Sequence, residues 1–183
     1  VHDEQPGAAG PWDRSLRPEE QATVEAARRG AALRYEGRVV PHRSCGIAIA
    51  ETFGRATAPY QSLRRGGLTG RGECGTRLGG RLVLGELLGD PDPGGPTRPL
   101  LREAVDFYEA RWAARCGVEP APGASVCNAL VEGFVDFKGP ARARFCEGLA
   151  AETAALLAET LLRAGVVVEP VAVSIEDAAS EAQ

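Results

Sequence analysis

The chain has 183 residues, enough for one sizeable core, and with 5% aromatics and no methionine that core must be built from Leu, Ala and Val. This composition favours helices over a β-sandwich. A net charge of −4 argues against a general nucleic-acid binder, and no apolar run approaches membrane-spanning length. No positively flanked apolar stretch opens the chain, so the expectation is a soluble, cytoplasmic protein. In that compartment its five cysteines read as ligands or reactive thiols rather than a disulfide framework. None forms a C-x-x-C pair, which counts against zinc-ribbon and thioredoxin readings.

Residues 1–13 are rich in Gly, Pro and Asp and are expected to be disordered. A first helix is predicted with Ser15 as cap and Pro18 near its first turn, running through Val24, Ala27, Ala31 and Leu33 to Tyr35. Glu19 and Glu20 come early and Arg28, Arg29 and Arg34 late, as the helix dipole favours. After the break at Gly37 to Pro41, Ser44 is predicted to cap a second helix, Cys45 to Phe53, with Cys45, Ile49, Thr52 and Phe53 on one face. Residues 54–72 read as a long loop, of a length that is usually functional.

The Gly-rich stretch from Gly66 to Gly80 organises the middle of the chain. Its glycines permit left-handed backbone and a close approach to a ligand. It delivers Cys74 to the start of a helix from Thr76 to Leu88, with Leu78, Leu82, Leu84 and Leu88 on the apolar side. A helix start offers free N–H groups and the positive end of the dipole, and both favour a thiolate. Gly75 and Gly79 lie four apart, so another helix can pack closely on that face.

Asp90 to Pro96 is a linker. Thr97 is predicted to cap a helix to about Arg115, with Leu100, Leu101, Ala104, Val105, Tyr108 and Trp112 as its stripe, ended by Cys116-Gly117. Ser125 is predicted to cap another, carrying Cys127, Leu130, Val131 and Phe134. Pro140 opens the last, through Cys146, Leu149, Thr153, Leu156, Leu157 and Leu161 to Ala164. Val166 to Ile175 is β-prone without a partner strand, so 166–183 is expected to be an extended tail. The sum is an all-α, irregular bundle of about five or six helices over 14–165, with the Gly-rich loop presenting a cysteine at a helix N-terminus.

Charge is uneven. Between Arg43 and Arg81, the arginines 43, 55, 64, 65, 71, 77 and 81 meet just Glu51 and Glu73, a local +5 that leaves −9 for the remainder. This is either a solvated basic face or a counter-charge for an anionic cofactor, substrate or partner. If Arg64, Arg65 and Arg71 hold a small anion, a pocket should open between the 66–74 loop and His42. If they dock an acidic partner, they should point into water.

Cys45, Cys74 and Cys127 sit at helix starts and Cys146 lies about two turns inside the last helix, each on an apolar stripe. A free cysteine is often a small hydrophobe and nothing more, but three at helix starts make a shared site the sharper reading. Cys116 ends its helix, where the dipole disfavours a thiolate, and stands apart. His42 reads as a surface residue or as a ligand or proton donor near Cys45, and Glu73 as a helix-start acid or a proton relay. Tyr60, Tyr108 and Trp112 read as core or rim aromatics. There is no Ser/His/Asp arrangement, P-loop or dinucleotide fingerprint.

The order Ser44-Cys45, then Gly72-Glu73-Cys74-Gly75-Thr76 with Gly79, then Cys127-Asn128-Ala129-Leu130, then Arg144-Phe145-Cys146 resembles the C_GCAxxG_C_C family. That family is named for its cysteine pattern, is regarded as redox-active, and is similar to the C-terminal part of split-Soret cytochromes c. The resemblance covers roughly Ala27 to Leu162. It implies an iron–sulfur centre on Cys45, Cys74, Cys127 and Cys146, of [2Fe–2S] type since four thiolates suffice for it. Arg43, Arg71 and Arg77, with the loop backbone at Gly72, would then stabilise its negative charge. Thr76 departs from the family's usual Ala, the Arg77/Arg81 face is more basic, and no C-x-x-C-H for haem is present.

Four functions stand as expectations. The first is an iron–sulfur redox protein that passes electrons to a partner protein. The second is a thiol–disulfide or persulfide enzyme, and the third a zinc-stabilised module. The fourth is an enzyme of specialised metabolism whose cluster acts as a Lewis acid on a small anionic substrate. Neither nucleic acid nor a membrane is expected as partner, and a homodimer is compatible.

Overall fold

The computed structural model describes residues 10–174 of the chain. It is an all-α irregular bundle: α1 (Pro18–Glu36), α2 (Gly46–Thr52), a 3₁₀ helix (Ala58–Leu63), α3 (Gly75–Leu88), α4 (Pro99–Arg115), α5 (Cys127–Val131) and α6 (Pro140–Arg163). Among the described residues the sole β pairing is an isolated antiparallel bridge between Glu73 and Val126.

The bundle is built around α6. Its run from Leu149 to Leu161 is apolar on nearly every side, with Leu149, Ala150, Ala154 to Ala158 and Leu161 buried along with Thr153 and Thr160. A helix apolar all round must be covered all round. Here α1 covers most of it, and α4, α3 and α2 take the remaining sides. The small residues Ala27, Gly30 and Ala31 on the buried face of α1 and the alanines of α6 allow close approach. Thr160 satisfies its buried hydroxyl on the Leu156 carbonyl of its own helix at 2.7 Å.

Helix starts differ from the expected caps. α1 begins at Pro18 after Arg17, α4 at Pro99 after Arg98 and α6 at Pro140 after Gly139, so neither Ser15 nor Thr97 caps its helix. Proline in the first turn has no N–H to leave orphaned, which lessens the need for a side-chain cap. At α1 the Glu20 carboxylate accepts the Arg17 backbone N–H at 2.8 Å. At α2 the cap position is Cys45, and the buried Ser44 hydroxyl has no hydrogen-bond partner. α5 begins at Cys127 after Val126 rather than at a Ser125 cap.

The apolar stripe of α3 is also rotated from the expected one. Leu82 is 44% exposed, and the buried side is Thr76, Gly79, Gly80, Val83, Leu84 and Leu88. Close packing of the Gly75–Gly79 face onto α2 turns that side inward, as the glycine spacing predicts. A Cβ on Gly79 would stand 2.9 Å from the Gly46 Cα. The 54–72 segment is less irregular than expected, because the 3₁₀ helix buries Tyr60, whose hydroxyl donates to Glu86 at 2.5 Å.

Of the N-terminal segment expected to be disordered, residues 10–13 are described, and they pack. Trp12 stacks on Phe107 at 5.3 Å between ring centroids and donates to Glu103 at 3.0 Å, and Arg163 donates to its carbonyl at 3.0 Å. Arg14 then clips α1 to α6 by donating to both oxygens of Glu20, at 2.7 and 2.8 Å, and to the Leu162 carbonyl at 3.0 Å. Residues 166–174 carry no helix or strand, and they are held by the Val171 N–H to the Thr52 carbonyl at 2.9 Å and by Arg34 to the Val171 carbonyl at 3.0 Å. The rest of both terminal segments, 1–9 and 175–183, lies outside the described residues.

This packing sets the expected stability of several variants. Gly79→Ala should destabilise by about 1–3 kcal/mol, because the new methyl meets backbone of α2. Gly85→Ala, on the same helix with open space around it, should stabilise by up to about 1 kcal/mol; urea denaturation of the pair measures both signs. The Glu20 carboxyl, hydrogen-bonded first by Arg14 and then by the Arg17 N–H, is lowered from 4.5 to about 2. A folded value below the unfolded one gives stability that is present above pH 4.5 and is lost as pH falls towards 2. The melting temperature of the wild type should therefore fall through that window more steeply than that of Glu20→Gln.

Candidate functional site

The site is assembled by a backbone clasp between two distant loops. In the first, the left-handed residues Arg65, Gly66, Gly67, Leu68 and Gly70 curl the chain, closed by the Gly70 N–H to the Arg65 carbonyl at 2.8 Å and the Gly72 N–H to the Gly66 carbonyl at 3.1 Å. The second supplies the start of α5. The Cys127 N–H donates to the Gly72 carbonyl at 2.9 Å, the Asn128 N–H to the Gly70 carbonyl at 2.9 Å, and the Cys74 N–H to the Ser125 carbonyl at 2.7 Å. Gly66 must be glycine, since a Cβ there would stand 2.6 Å from the Cys127 Cβ. Gly75 gives Cys45 the same room on the other side, where a Cβ would stand 2.8 Å from the Cys45 Cβ.

Cys45, Cys74 and Cys127 thus come from the starts of α2, α3 and α5, and Cys146 joins from α6. All five cysteines of the chain are free thiols, with Cys74 buried and the others half-buried. Every pair among Cys45, Cys74, Cys127 and Cys146 lies within electrostatic reach, since charge on one raises the pKa of another. For Cys116, Cys74 is the thiol that acts on it.

Hydrogen-bond donors surround three of the four. The Arg65 backbone N–H donates to Cys45, whose own backbone is left-handed with φ 48°. Tyr35 pulls the Cys146 thiol down, and Arg142 Nη1 lies 3.7 Å from the Cys146 sulfur. Cys74 ends a buried chain with a fixed direction. The Trp112 indole, which can only donate, gives its N–H to Thr153 at 2.9 Å; Thr153 donates to Thr76 at 3.2 Å; and the Thr76 hydroxyl stands 3.1 Å from the Cys74 sulfur with its own proton left to give. Cys116 touches the same chain at Thr153, 3.9 Å away.

At Cys45, Cys116, Cys127 and Cys146 burial outweighs the helix dipole. It pushes Cys45 and Cys116 up to about 12 and raises Cys127 and Cys146, against the opposing pull of the Arg65 N–H on Cys45, Thr153 on Cys116, Arg65 and Arg142 on Cys127, and Tyr35 and Arg142 on Cys146. Desolvation can move a pKa by several units, while a helix terminus contributes roughly 0.3–1 kcal/mol, less than one unit. The expectation that helix starts favour thiolates at Cys45 and Cys127 is therefore corrected.

The arginines expected around the centre divide. Arg43 pairs with Glu51 at 2.8 Å. Arg77 is clamped to Glu109, lies 3.4 Å from Glu73 and sits 5.4 Å above the Trp112 ring. Arg71 is exposed, and Gly72 serves as the backbone clasp. The guanidiniums that act on the thiols are those of Arg65 and Arg142, which share the Phe137 ring at 5.1 and 4.5 Å. Glu73 behaves as a helix-start acid paired to Arg77 and Arg81, at 3.4 and 3.6 Å. His42 is exposed, with its ring edge on Tyr35 at 4.8 Å and Nδ1 on the Tyr35 carbonyl. Sequence reasoning missed Tyr35 and Arg142. Arg142 carried a signal, a cation in the first turn of a helix, where the dipole disfavours it.

Among the described residues, no three His, Cys, Asp or Glu side chains are disposed to hold a single metal ion. Cys45, Cys74, Cys127 and Cys146 offer four thiols, with N–H and O–H donors and two guanidiniums about them, the chemistry that an anionic group carried on four thiolates would need. Compared with protein-family models, curated proteins and solved structures, the chain matches none.

The buried hydroxyl chain makes a prediction. Thr153→Val strands the indole N–H of Trp112, which is 1% exposed, and should cost about 1–3 kcal/mol. Thr160→Val removes a hydroxyl bonded within its own helix and should cost less; equilibrium unfolding in urea compares the two.

Proposed function

We propose that this chain is an iron–sulfur redox protein in which Cys45, Cys74, Cys127 and Cys146 hold a [2Fe–2S]-type centre. The observation that carries the reading is the backbone clasp, which ties the Cys74 and Cys127 segments together while Gly66 and Gly75 give close room to Cys127 and Cys45, with Cys146 acting electrostatically on the same thiols. When bound, such a centre supplies one-electron transfer at a potential set by charge, hydrogen bonds to sulfur and exposure. The chain's own part is to supply those settings. Thr76 and Arg142 stand within hydrogen-bond reach of the Cys74 and Cys146 sulfurs, the Arg65 N–H and Tyr35 favour charge on Cys45 and Cys146, and burial restricts water. Arg64, Arg65 and Arg71 are exposed, and Leu68 between them is 63% exposed. This favours docking of an acidic redox partner at the loop over capture of a small anion there.

The thiol–disulfide reading is weaker. Burial raises Cys45, Cys127 and Cys146, which leaves little thiolate on these three at neutral pH, and thiolate is the attacking species. A metal centre has no such difficulty, because binding displaces the thiol protons.

The test is iron and acid-labile sulfide on anaerobically reconstituted protein, with its visible spectrum. The wild type should hold about two irons and two sulfides per chain. Replacing any of Cys45, Cys74, Cys127 or Cys146 with Ser should lower iron content severalfold, and Cys116→Ser should leave it intact. Colourless wild-type protein without sulfide overturns the reading; equal loss in Cys116→Ser means the ligand set is wrong.

A further inference from the structure

A second feature lies on the far side of Tyr35 from the clasp. A cleft of about 180 Å³ opens between the end of α1 and the start of α6. Tyr35, Arg38, His42, Arg142 and Arg144 line it, with Glu36 and Glu147. It is not the pocket expected between the 66–74 loop and His42, because no residue of that loop lines it.

The charges in this cleft are unbalanced. Arg38 is paired with Glu36 at 2.9 Å, so those two cancel. Arg142 and Arg144 make no ion pair among the described residues, and Glu147 is left to offset both. The Nε of Arg142 is buried without a hydrogen-bond partner. Both cations also stand in the opening turns of α6, a 24-residue helix with no acid in its first turn, so the positive end of its dipole adds to them. A sequence that breaks a local rule this way needs a compensating group. An anion in the cleft would answer the two guanidiniums and the dipole together, and the planar Arg fork matches the paired oxygens of an oxyanion. The volume is well below the roughly 300–1,000 Å³ of pockets for larger ligands, which limits the occupant to a small one.

We propose that this cleft binds a small oxyanion, a carboxylate or a sulfate- or phosphate-type group, held by Arg142 and Arg144. The site does not depend on what the thiols carry. It does adjoin them: Arg142 Nη1 lies 3.7 Å from the Cys146 sulfur, and Tyr35 forms wall to the cleft and donor to that thiol at once. An anion seated here therefore lies one side chain away from Cys146.

The test is a titration of the full chain with sodium sulfate, phosphate and acetate in turn, at constant ionic strength, read by NMR at the Arg142 Nε–H and His42 ring signals. Saturation by at least one anion below about 50 mM is expected. Saturation by sulfate and phosphate alone assigns a tetrahedral ligand, and by acetate alone a carboxylate. Arg142→Gln and Arg144→Gln should each weaken binding about tenfold, and Arg81→Gln, outside the cleft, should leave it unchanged. Arg144 is exposed, so its variant carries the test should Arg142→Gln fail to fold. Shifts that stay linear for all three anions, or an Arg144→Gln protein that binds like wild type, overturn the proposal.

Discussion

Three backbone hydrogen bonds, from Cys74, Cys127 and Asn128, join the 70–74 segment to 125–128 across more than fifty residues of chain. The arrangement of the site depends on them. They bring the starts of α3 and α5 together, and with them two of the thiols. The curled backbone at Gly66 and Gly70 lets the two segments come this close. Main-chain bonds are a sound basis for such a site because every residue on both segments offers them, whatever its side chain. A side chain at Gly66 would push the α5 start away and take Cys127 with it.

Around this clasp, burial and charge work against each other. Cys45, Cys127 and Cys146 are sheltered enough that desolvation outweighs the groups that pull them down, so these three favour the protonated state. The donors from Arg65, Thr76, Tyr35 and Arg142 would stabilise sulfur that carries charge. Such a pocket is poised between two states, and a group that removes the protons would recover the donors' full value. The hydroxyl chain from Trp112 through Thr153 and Thr76 carries the same bias into the core and ties the setting of Cys74 to the packing of α4 on α6.

The basic stretch read as one feature in sequence divides in space. Arg43, Arg77 and Arg81 are matched to Glu51, Glu73 and Glu109 and serve structure. Arg64 and Arg71 are exposed on the loop, and Arg65, also exposed, lies over the Phe137 ring and acts on Cys127. The positive charge at the cleft comes from elsewhere, from the first turns of α6. Summed charge along a segment says little about which side chains meet acids supplied by other helices, and Glu109 belongs to α4.

By itself the sequence determined the α-helices and their order, though not the 3₁₀ helix at Ala58–Leu63, because apolar spacing and the glycine and proline breaks are local properties. It also determined that Cys45, Cys74 and Cys127 sit at helix starts, and that Gly75 and Gly79 form a face for close packing. Caps were less legible, since Pro18, Pro99 and Pro140 make the opening turns with little help from Ser or Thr. The rotation of α3 was illegible for a different reason: Leu82 and Val83 are both strongly apolar, and the close fit of Gly79 against Gly46 and of Gly80 against Tyr108 goes with burial of Val83. The tertiary structure likewise decided which charges surround the thiols. Tyr35 and Arg142 lie more than a hundred residues apart and meet Cys146 because α1 and α6 pack together. It also set the protonation of the thiols, because desolvation depends on what covers a group, and the cover comes from parts of the chain remote in sequence.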